Sequence, residues 1–311
     1  MTEIHDVALR AADFDFRVRV YPAGEPNGSL LVWLHGGAFM FGTLDMPEAD
    51  QVGRRLSADG ITVISVDYTL APLDALPALG PVDGGEGMPV PEGMPTPEQM
   101  RAEMEAAGPR GRYPVASLQT VAAFDWAVDH AADWGGSPSR VLLGGASAGG
   151  NLAAGAAVRL RDRVAGDADA ASPAALALVY PVLHAPLPAA NAELEGLLAG
   201  LPAALTFPPE STSAINANYL GEATADEYAF PGGHDMTGLA PTLIVTADRD
   251  RLRASGEAFA AELALAGVDV SLVRQRGALH GFLNEVGDSA AESTLRWITT
   301  VATLTASRAV R

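Results

Sequence analysis

The chain contains no cysteine among its 311 residues. Disulfide bonds, thiolate zinc sites and a cysteine nucleophile are therefore excluded. Lysine is also absent, so arginine supplies all 20 basic residues against 38 acidic ones, and the formal net charge is −18. Nucleic acids and anionic membrane surfaces both require clustered basic side chains, so we expect neither as a partner.

Long hydrophobic runs are missing as well. No stretch approaches the ~18 consecutive apolar residues that span a bilayer. Residues 1–16 carry acidic side chains where a signal peptide would carry basic ones, and no apolar run follows. These features predict a soluble, cytoplasmic protein without membrane insertion, and the hydrophobic fraction of 48% is sufficient for a large core.

Short apolar runs recur along the chain and alternate with helix-like segments. The predicted strands are Phe14–Tyr21, Ser29–Leu34, Thr62–Val66, Arg140–Gly144, Ala175–Tyr180, Thr242–Thr246 and Asp269–Arg274. The predicted helices between them are Pro47–Asp59, Val115–Ala132, Asn151–Arg163 and Ala254–Ala266. Nearly unbroken apolar strands are typical of a sheet buried on both faces. The alternation predicts a single α/β domain over residues 1–311, with a mostly parallel central sheet flanked by helices.

Two stretches depart from this alternation. Residues 73–112 are rich in proline, glycine and methionine, and Thr96 predicts the N-cap of a short helix that ends at Gly108. Residues 181–238 are proline-rich and apolar and contain one helix-like segment, NAELEGLLAGL. Because long irregular segments in compact domains are usually functional or mobile, we expect both to contribute a lid or cap. The alternative is a surface excursion without a function.

A possible nucleophile follows the strand that begins near Arg140. Residues 145–149 read Gly-Ala-Ser-Ala-Gly and match the pattern G-x-S-x-G around Ser147. Small neighbours allow a serine to occupy a sharp turn between a strand and a helix, where helical N–H groups stabilise negative charge. The pattern alone is weak evidence in a chain with 33 glycines. The strand before it and the helix after it supply the context that the motif requires.

A second glycine turn follows the strand Ser29–Leu34, in the sequence WLHGGAF. Acyl transfer develops an oxyanion, which preorganised backbone N–H groups stabilise. We expect the N–H groups of Gly36, Gly37 and Ala38 to converge with that of Ala148 in an oxyanion hole. His35 is interpreted as a structural residue that holds this loop by hydrogen bonds.

An acid and a base are predicted near the C-terminus. Asp248 and Asp250 stand at the end of one strand, and His280 follows the next strand about 30 residues later. The order serine, aspartate, histidine is that of an α/β-hydrolase, and the spacing leaves both aspartates open as the acid. We expect His280 to activate Ser147, with activity appearing as the imidazole loses its proton. The other histidines are interpreted as satisfied or solvated: His5, His130, His184 and His234.

Taken together, these segments resemble the hormone-sensitive-lipase family of α/β-hydrolase esterases. The similar pieces span nearly the whole chain in the family's order: WLHGGAF, VDYTLAP, GGASAGGN, APTLIVTADRDRLR and HGF. The resemblance implies a metal-free enzyme without a cofactor, whose substrate is a small ester with a short or medium acyl chain. It also implies Asp250 as the acid, because residues 250–253 match the family's D-x-L-R motif.

Several positions depart from the family pattern. Ala38 replaces the third glycine of the oxyanion loop, Ala146 replaces the aspartate before the serine, and Thr69 and Leu73 replace an arginine and a glutamate. The acid expected within residues 113–119 is missing too. We expect a buried polar network to have been replaced by apolar packing as a set, so that Ala146→Asp alone destabilises the fold.

The resemblance leaves other functions to be weighed. The same triad can serve an amidase, a lactonase or a deacetylase, and a member of the fold can bind a ligand without catalysis. A nucleotide-binding domain is disfavoured, because the glycine-rich turn lacks the lysine of a P-loop. The apolar C-terminal helix allows a homodimer, although it could equally pack on the sheet.

Overall fold

The structure is a computed structural model that describes residues 3–79, 108–202 and 206–308. Its eight strands are β1 (His5–Ala11), β2 (Phe14–Tyr21), β3 (Leu30–Leu34), β4 (Thr62–Asp67), β5 (Val141–Ala146), β6 (Leu176–Val179), β7 (Thr242–Arg249) and β8 (Val270–Leu279). The α-helices in these ranges are α1 (Pro47–Ala58), α2 (Val115–Asp129), α3 (Ala148–Gly166), α4 (Ala192–Leu198), α5 (Pro209–Leu220), α6 (Arg253–Leu265) and α7 (Ser289–Arg308).

All eight strands form one sheet in the order β1-β2-β4-β3-β5-β6-β7-β8. The six strands from β3 to β8 run parallel, whereas β2 pairs antiparallel with both β1 and β4. The predicted α/β class with a mostly parallel sheet is therefore confirmed.

Helices cover both faces of the sheet, as the apolar strands require. All five residues of β3 are buried, with Val32 in the cluster on one face and Trp33 in the cluster on the other. Helices α2, α3 and α6 contribute to the first cluster, and α1 and α7 contribute to the second. Helix α7 packs through Leu295 and Ile298, while Trp297 stays 41% exposed. The C-terminal helix thus lies on the sheet, and the homodimer remains a prediction.

The predicted elements differ from the observed ones mainly at the edges of the sheet. Strand β1 was not predicted, because it lacks an apolar run and alternates between half-buried and exposed residues. It forms a hairpin with β2 through Ala12 and Asp13, whose φ angles of 50° and 65° fit a tight hairpin turn. Helix α5 was also missed, and the helix predicted from Thr96 to Gly108 falls, up to residue 107, on residues that the structure does not describe.

The parallel strands determine where the chemistry can occur. His35, Ser147, Asp250 and His280 each follow directly after the last residue of β3, β5, β7 and β8, respectively. Because the carboxyl ends of parallel strands share one edge of a sheet, all four residues come to the same end of the molecule.

Candidate active site

Ser147 occupies a strained turn between β5 and α3. Its φ of 54° and ψ of −118° lie outside the usual regions for a residue with a side chain. A Cβ at Gly145 would lie 2.5 Å from the Gly149 carbonyl carbon, and one at Gly149 would overlap the carbonyl of Leu34. The Ser147 N–H donates to the Val179 carbonyl at 2.9 Å, which fixes the turn to β6. The glycines of the motif are therefore required by close backbone contacts.

The structure brings Ser147, His280 and Asp250 together. His280 Nε2 lies 3.0 Å from Ser147 Oγ, and His280 Nδ1 lies 2.7 Å from Asp250 Oδ2. Because a carboxylate only accepts hydrogen bonds, Nδ1 carries the proton and Nε2 is free to accept the serine hydroxyl. Asp250 is fully buried, and its second oxygen accepts the Leu252 N–H at 2.9 Å. The arrangement can activate a serine hydroxyl for attack on a carbonyl carbon.

Asp248 has a different set of partners. Its Oδ2 accepts the Gly277 N–H at 3.0 Å, and its Oδ1 lies 3.5 Å from the buried Arg253 guanidinium. Gly277 lies in β8, before His280, and has a φ of 75°. Asp248 therefore joins β8 to β7, and of the two aspartates that the spacing left open, Asp250 is the one that contacts the imidazole.

Two aromatic rings flank the His280 imidazole. The ring of Tyr180 lies 4.8 Å away between centroids, and that of Phe207 lies 4.6 Å away. Both residues have positive φ angles, 36° and 47°, which side chains of this size rarely adopt. Burial raises the pKa of Tyr180 well above its ordinary value, so this ring stays neutral. Neither residue can be identified from the sequence, because nothing in the chain signals a positive φ at an aromatic residue.

The loop after β3 turns sharply at three consecutive residues. The φ angles of Gly37, Ala38 and Phe39 are 125°, 51° and 61°. The Gly37 carbonyl accepts the Phe41 N–H at 2.9 Å, and a Cβ at Gly37 would overlap the Phe41 carbonyl. Ala38 stands where the family has glycine, and its positive φ lies in the left-handed region that favours glycine.

The four predicted oxyanion donors do not share one environment. The Gly36 N–H donates to Glu48 Oε2 at 3.1 Å, so this group is already occupied, contrary to our expectation. Ala148 is the first residue of α3, and the first N–H groups of an α-helix have no partner within the helix. Gly37, Ala38 and Ala148 are therefore the residues whose N–H groups remain candidates for an oxyanion.

His35 contributes to the shape of the loop. Its Nδ1 lies 2.7 Å from the Gly36 carbonyl, and its ring stacks on Tyr68 at 4.4 Å between centroids. The Tyr68 hydroxyl donates to the His35 carbonyl at 3.0 Å. Burial lowers the pKa of His35, which keeps the ring neutral. These contacts agree with the structural role expected for His35.

The positions that carry charged residues in the family are filled in two different ways in this chain, by apolar packing and by a pair of neutral polar side chains. Ala146 is fully buried in the apolar cluster that contains Trp33, as expected. Thr69 instead pairs with Gln119: the Gln119 amide donates to the Thr69 hydroxyl at 2.8 Å and its carbonyl accepts the Thr69 N–H at 2.7 Å. The expectation of purely apolar packing was therefore wrong at this pair, because the buried Thr69 N–H still needs an acceptor.

The remaining histidines lie apart from the triad. His184 is buried between the Ser255 hydroxyl at 2.8 Å and the Glu262 carboxylate at 3.1 Å, which joins the 181–238 segment to α6.

Among the described residues, no group of three histidine, aspartate or glutamate side chains is arranged to hold a metal ion. No helix within the described ranges is both long and apolar enough to cross a membrane.

Comparison with known proteins identifies the fold family and its members. The profile of the alpha/beta hydrolase fold family matches residues 31–80 and 106–284. Carboxylesterase NlhH of Mycobacterium tuberculosis is 30% identical over 292 residues, which cover 91% of this chain and 76% of the relative. An arylesterase of Saccharolobus solfataricus is 25% identical over 283 residues, covering 90% and 77%.

Comparison with solved structures also finds esterases. The thermostable carboxylesterase EstE1, cloned from a metagenomic library, superposes with a TM-score of 0.73 at 28% identity and covers 98% of this chain and 88% of its own. An esterase of the archaeon Pyrobaculum calidifontis superposes with a TM-score of 0.73 at 25% identity, covering 97% and 83%. The chain belongs to the hormone-sensitive-lipase-like family of α/β-hydrolases.

Proposed function

We propose that the protein is a serine carboxylic-ester hydrolase that cleaves short- to medium-chain esters through Ser147, His280 and Asp250. The observation that carries the proposal is the continuous hydrogen-bonded chain from Ser147 Oγ through the imidazole to Asp250, with distances of 3.0 and 2.7 Å. Membership of a family whose relatives include a carboxylesterase and an arylesterase supports it. No step of the reaction requires a metal ion or a cofactor.

The first half of the reaction forms an acyl-enzyme. Ser147 Oγ attacks the ester carbonyl carbon while His280 Nε2 takes the hydroxyl proton. Asp250 accepts the Nδ1 proton in a hydrogen bond and stabilises the imidazolium. The tetrahedral intermediate then collapses, the carbon–oxygen bond to the alcohol breaks, and the alcohol leaves with the proton from His280.

The second half returns the enzyme to its starting state. Water attacks the acyl carbon, His280 takes the water proton, and the carboxylic acid leaves as Ser147 regains its hydroxyl proton. In both halves the carbonyl oxygen becomes an oxyanion, for which Gly37, Ala38 and Ala148 supply backbone N–H donors. Losing one such donor typically raises the barrier by about 2.7–4 kcal/mol.

The two long segments are assigned to the substrate pocket. Residues 181–238 supply Phe207, whose ring contacts His280. Arg110, in the segment 73–112, donates to the Met40 carbonyl of the oxyanion loop at 3.0 Å. Removal of residues 80–108 should therefore change the Michaelis constant or the preferred ester, and unchanged kinetics would contradict this role.

A substrate panel tests the proposed function. We expect Ser147→Ala to abolish hydrolysis of p-nitrophenyl acetate, and we expect the wild-type enzyme to prefer esters over amides and lactones of matched size. A preference for amides or lactones would redirect the proposal to another reaction of the triad. Full activity of Ser147→Ala, or a wild-type protein that binds esters without cleaving them, would contradict it.

A further inference from the structure

Glu48 is a buried acid that the triad does not use. It lies in the first turn of α1, and only 1% of its surface is exposed. Each oxygen of its carboxylate accepts one N–H: Oε1 from the Trp33 indole at 3.1 Å and Oε2 from Gly36 at 3.1 Å. Burying a carboxylate in an apolar cluster is unfavourable, so an acid at this place calls for a reason beyond packing.

The carboxylate and the nucleophile both lie next to Gly36 in the oxyanion loop. A Cβ at Gly36 would stand 3.0 Å from Glu48 Oε2 and 3.4 Å from Ser147 Cβ. The backbone of Gly36 is thus close to both side chains. Because Gly37 and Ala38 follow directly, the Glu48 hydrogen bond sets the orientation of the peptides that carry the oxyanion donors.

The helix of Glu48 also contacts the loop that carries the base. The Glu48 N–H donates to the Asn284 side-chain carbonyl at 3.2 Å, and the Asn284 amide donates to the Gly281 carbonyl at 3.1 Å. Gln51, one turn further along α1, donates to the Leu283 carbonyl at 2.7 Å. Gly281 is the residue after His280. Helix α1 therefore contacts both the oxyanion loop and the loop that follows the base.

We infer that Glu48 is a positioning residue for ester hydrolysis, which fixes the oxyanion loop through Gly36 and aligns it with His280 through Asn284. The inference rests on the proposed function, since it assigns the donors of Gly37 and Ala38 to the oxyanion. The ionised carboxylate can satisfy both N–H donors. A protonated carboxyl group turns a hydroxyl towards one of them, which loosens either Trp33 or Gly36.

The charge state of Glu48 changes in the working pH range. Burial raises the pKa of its carboxyl group to about 7, opposed by the two N–H donors. The titratable groups that interact with it electrostatically are Tyr68, beyond β4, and Tyr180, beyond β6. Burial raises the pKa of both phenols well above the ordinary value, so both are neutral there.

The pH profile of kcat/KM for p-nitrophenyl acetate tests this role. In the wild-type enzyme Glu48 must be ionised to hold both N–H groups, so its protonation near pH 7 should add one step to the acid limb. Glu48→Gln keeps the size of the side chain but cannot titrate, and its acid limb should lack that step. Its kcat should fall about tenfold or more at pH 8, as when oxyanion donors are misplaced, with a smaller change in KM.

Three further variants complete the experiment. Glu48→Asp retains an ionisable group and should retain a protonation step that Glu48→Gln lacks, with a reduced kcat. Glu25→Gln removes an exposed acid outside both long segments and should match the wild type in rate and profile. Ser147→Ala reports on the proposed function separately: if it hydrolyses the ester at the wild-type rate, the triad assignment fails.

The outcomes are distinguishable. If Ser147→Ala is inactive while Glu48→Gln keeps the wild-type kcat and profile, only the role of Glu48 is overturned. A faster Glu48→Gln enzyme would also overturn it, since the charge would then oppose the oxyanion more than its hydrogen bonds help. Thermal unfolding identifies variants that do not fold. If both Glu48 variants fail to fold, the wild-type profile decides, and a profile without a protonation step near pH 7 contradicts the inference.

Discussion

Two buried carboxylates stand at the same edge of the sheet and have different partners. Asp250 faces an imidazole, which can carry a proton to and from the reacting atoms. Glu48 faces two N–H groups, which cannot give up their protons. The comparison shows that the partner of a buried acid limits what the acid can do: Asp250 can orient an imidazole that moves a proton, whereas Glu48 can only hold backbone and indole groups in place.

Loss of the Asp250 charge should have the largest effect. Asp250→Asn keeps the shape of the side chain but favours the wrong tautomer of His280, so kcat for p-nitrophenyl acetate should fall about 10⁴-fold. Asp248→Asn, two residues away, is the matched control and should lower kcat far less, because Asp248 contacts Gly277 rather than the imidazole. Equal losses in the two variants would remove the distinction between these acids.

A carboxylate introduced at position 146 would be buried without partners and should destabilise the fold. Ala146 is fully buried among apolar residues, and no arginine stands at position 69 to accompany an acid there. Ala146→Asp should therefore lower the free energy of unfolding by about 3 kcal/mol or more. Urea denaturation at pH 7 measures this, with Ala146→Ser as a smaller polar control. A neutral or stabilising Ala146→Asp would show that an unrecognised partner is present.

The stability contribution of Glu48 should depend on pH. Burial raises its pKa from the ordinary 4.5 to about 7 in the folded protein, so between these values the folded state holds a proton that the unfolded state has lost. The free energy of unfolding should fall as pH rises through this window, by about 1.4 kcal/mol per pH unit and about 3 kcal/mol in all. Above pH 7 the full penalty for burying the charge remains.

Glu48→Gln lacks this titration and provides the comparison. The difference in unfolding free energy between the variant and the wild type should move in favour of the variant as pH rises from 5 to 7. Urea denaturation at closely spaced pH values measures it. A constant difference across the window would mean that Glu48 does not titrate there in the folded protein.

The sequence predicted the parts of the site that depend on strand ends and glycine turns. Ser147, Asp250 and His280 could be placed because each follows a recognisable strand, and the glycines at 145 and 149 fit only a close backbone contact. The resemblance was needed to choose Asp250 over Asp248. In the structure Asp250 contacts the imidazole, whereas Asp248 accepts the N–H of Gly277, so Asp250 stays the predicted acid.

Other parts could not be read from the chain. Glu48 looks like an ordinary acidic residue in the first turn of a helix, where exposed acids are common. Its burial and its contact with Gly36 arise from the packing of α1 against β4, which brings Glu48 to Trp33 and Gly36 and which no local pattern encodes. The same holds for the pair of Thr69 and Gln119, which lie 50 positions apart in the chain.

The most direct test of the account is the site at which a fluorophosphonate reacts. We predict a covalent adduct on Ser147, located by peptide mass spectrometry, that is absent in Ser147→Ala and forms far more slowly in Asp250→Asn. Labelling at another residue, or an unlabelled wild-type protein that still hydrolyses esters, would contradict the assignment of Ser147 as the nucleophile.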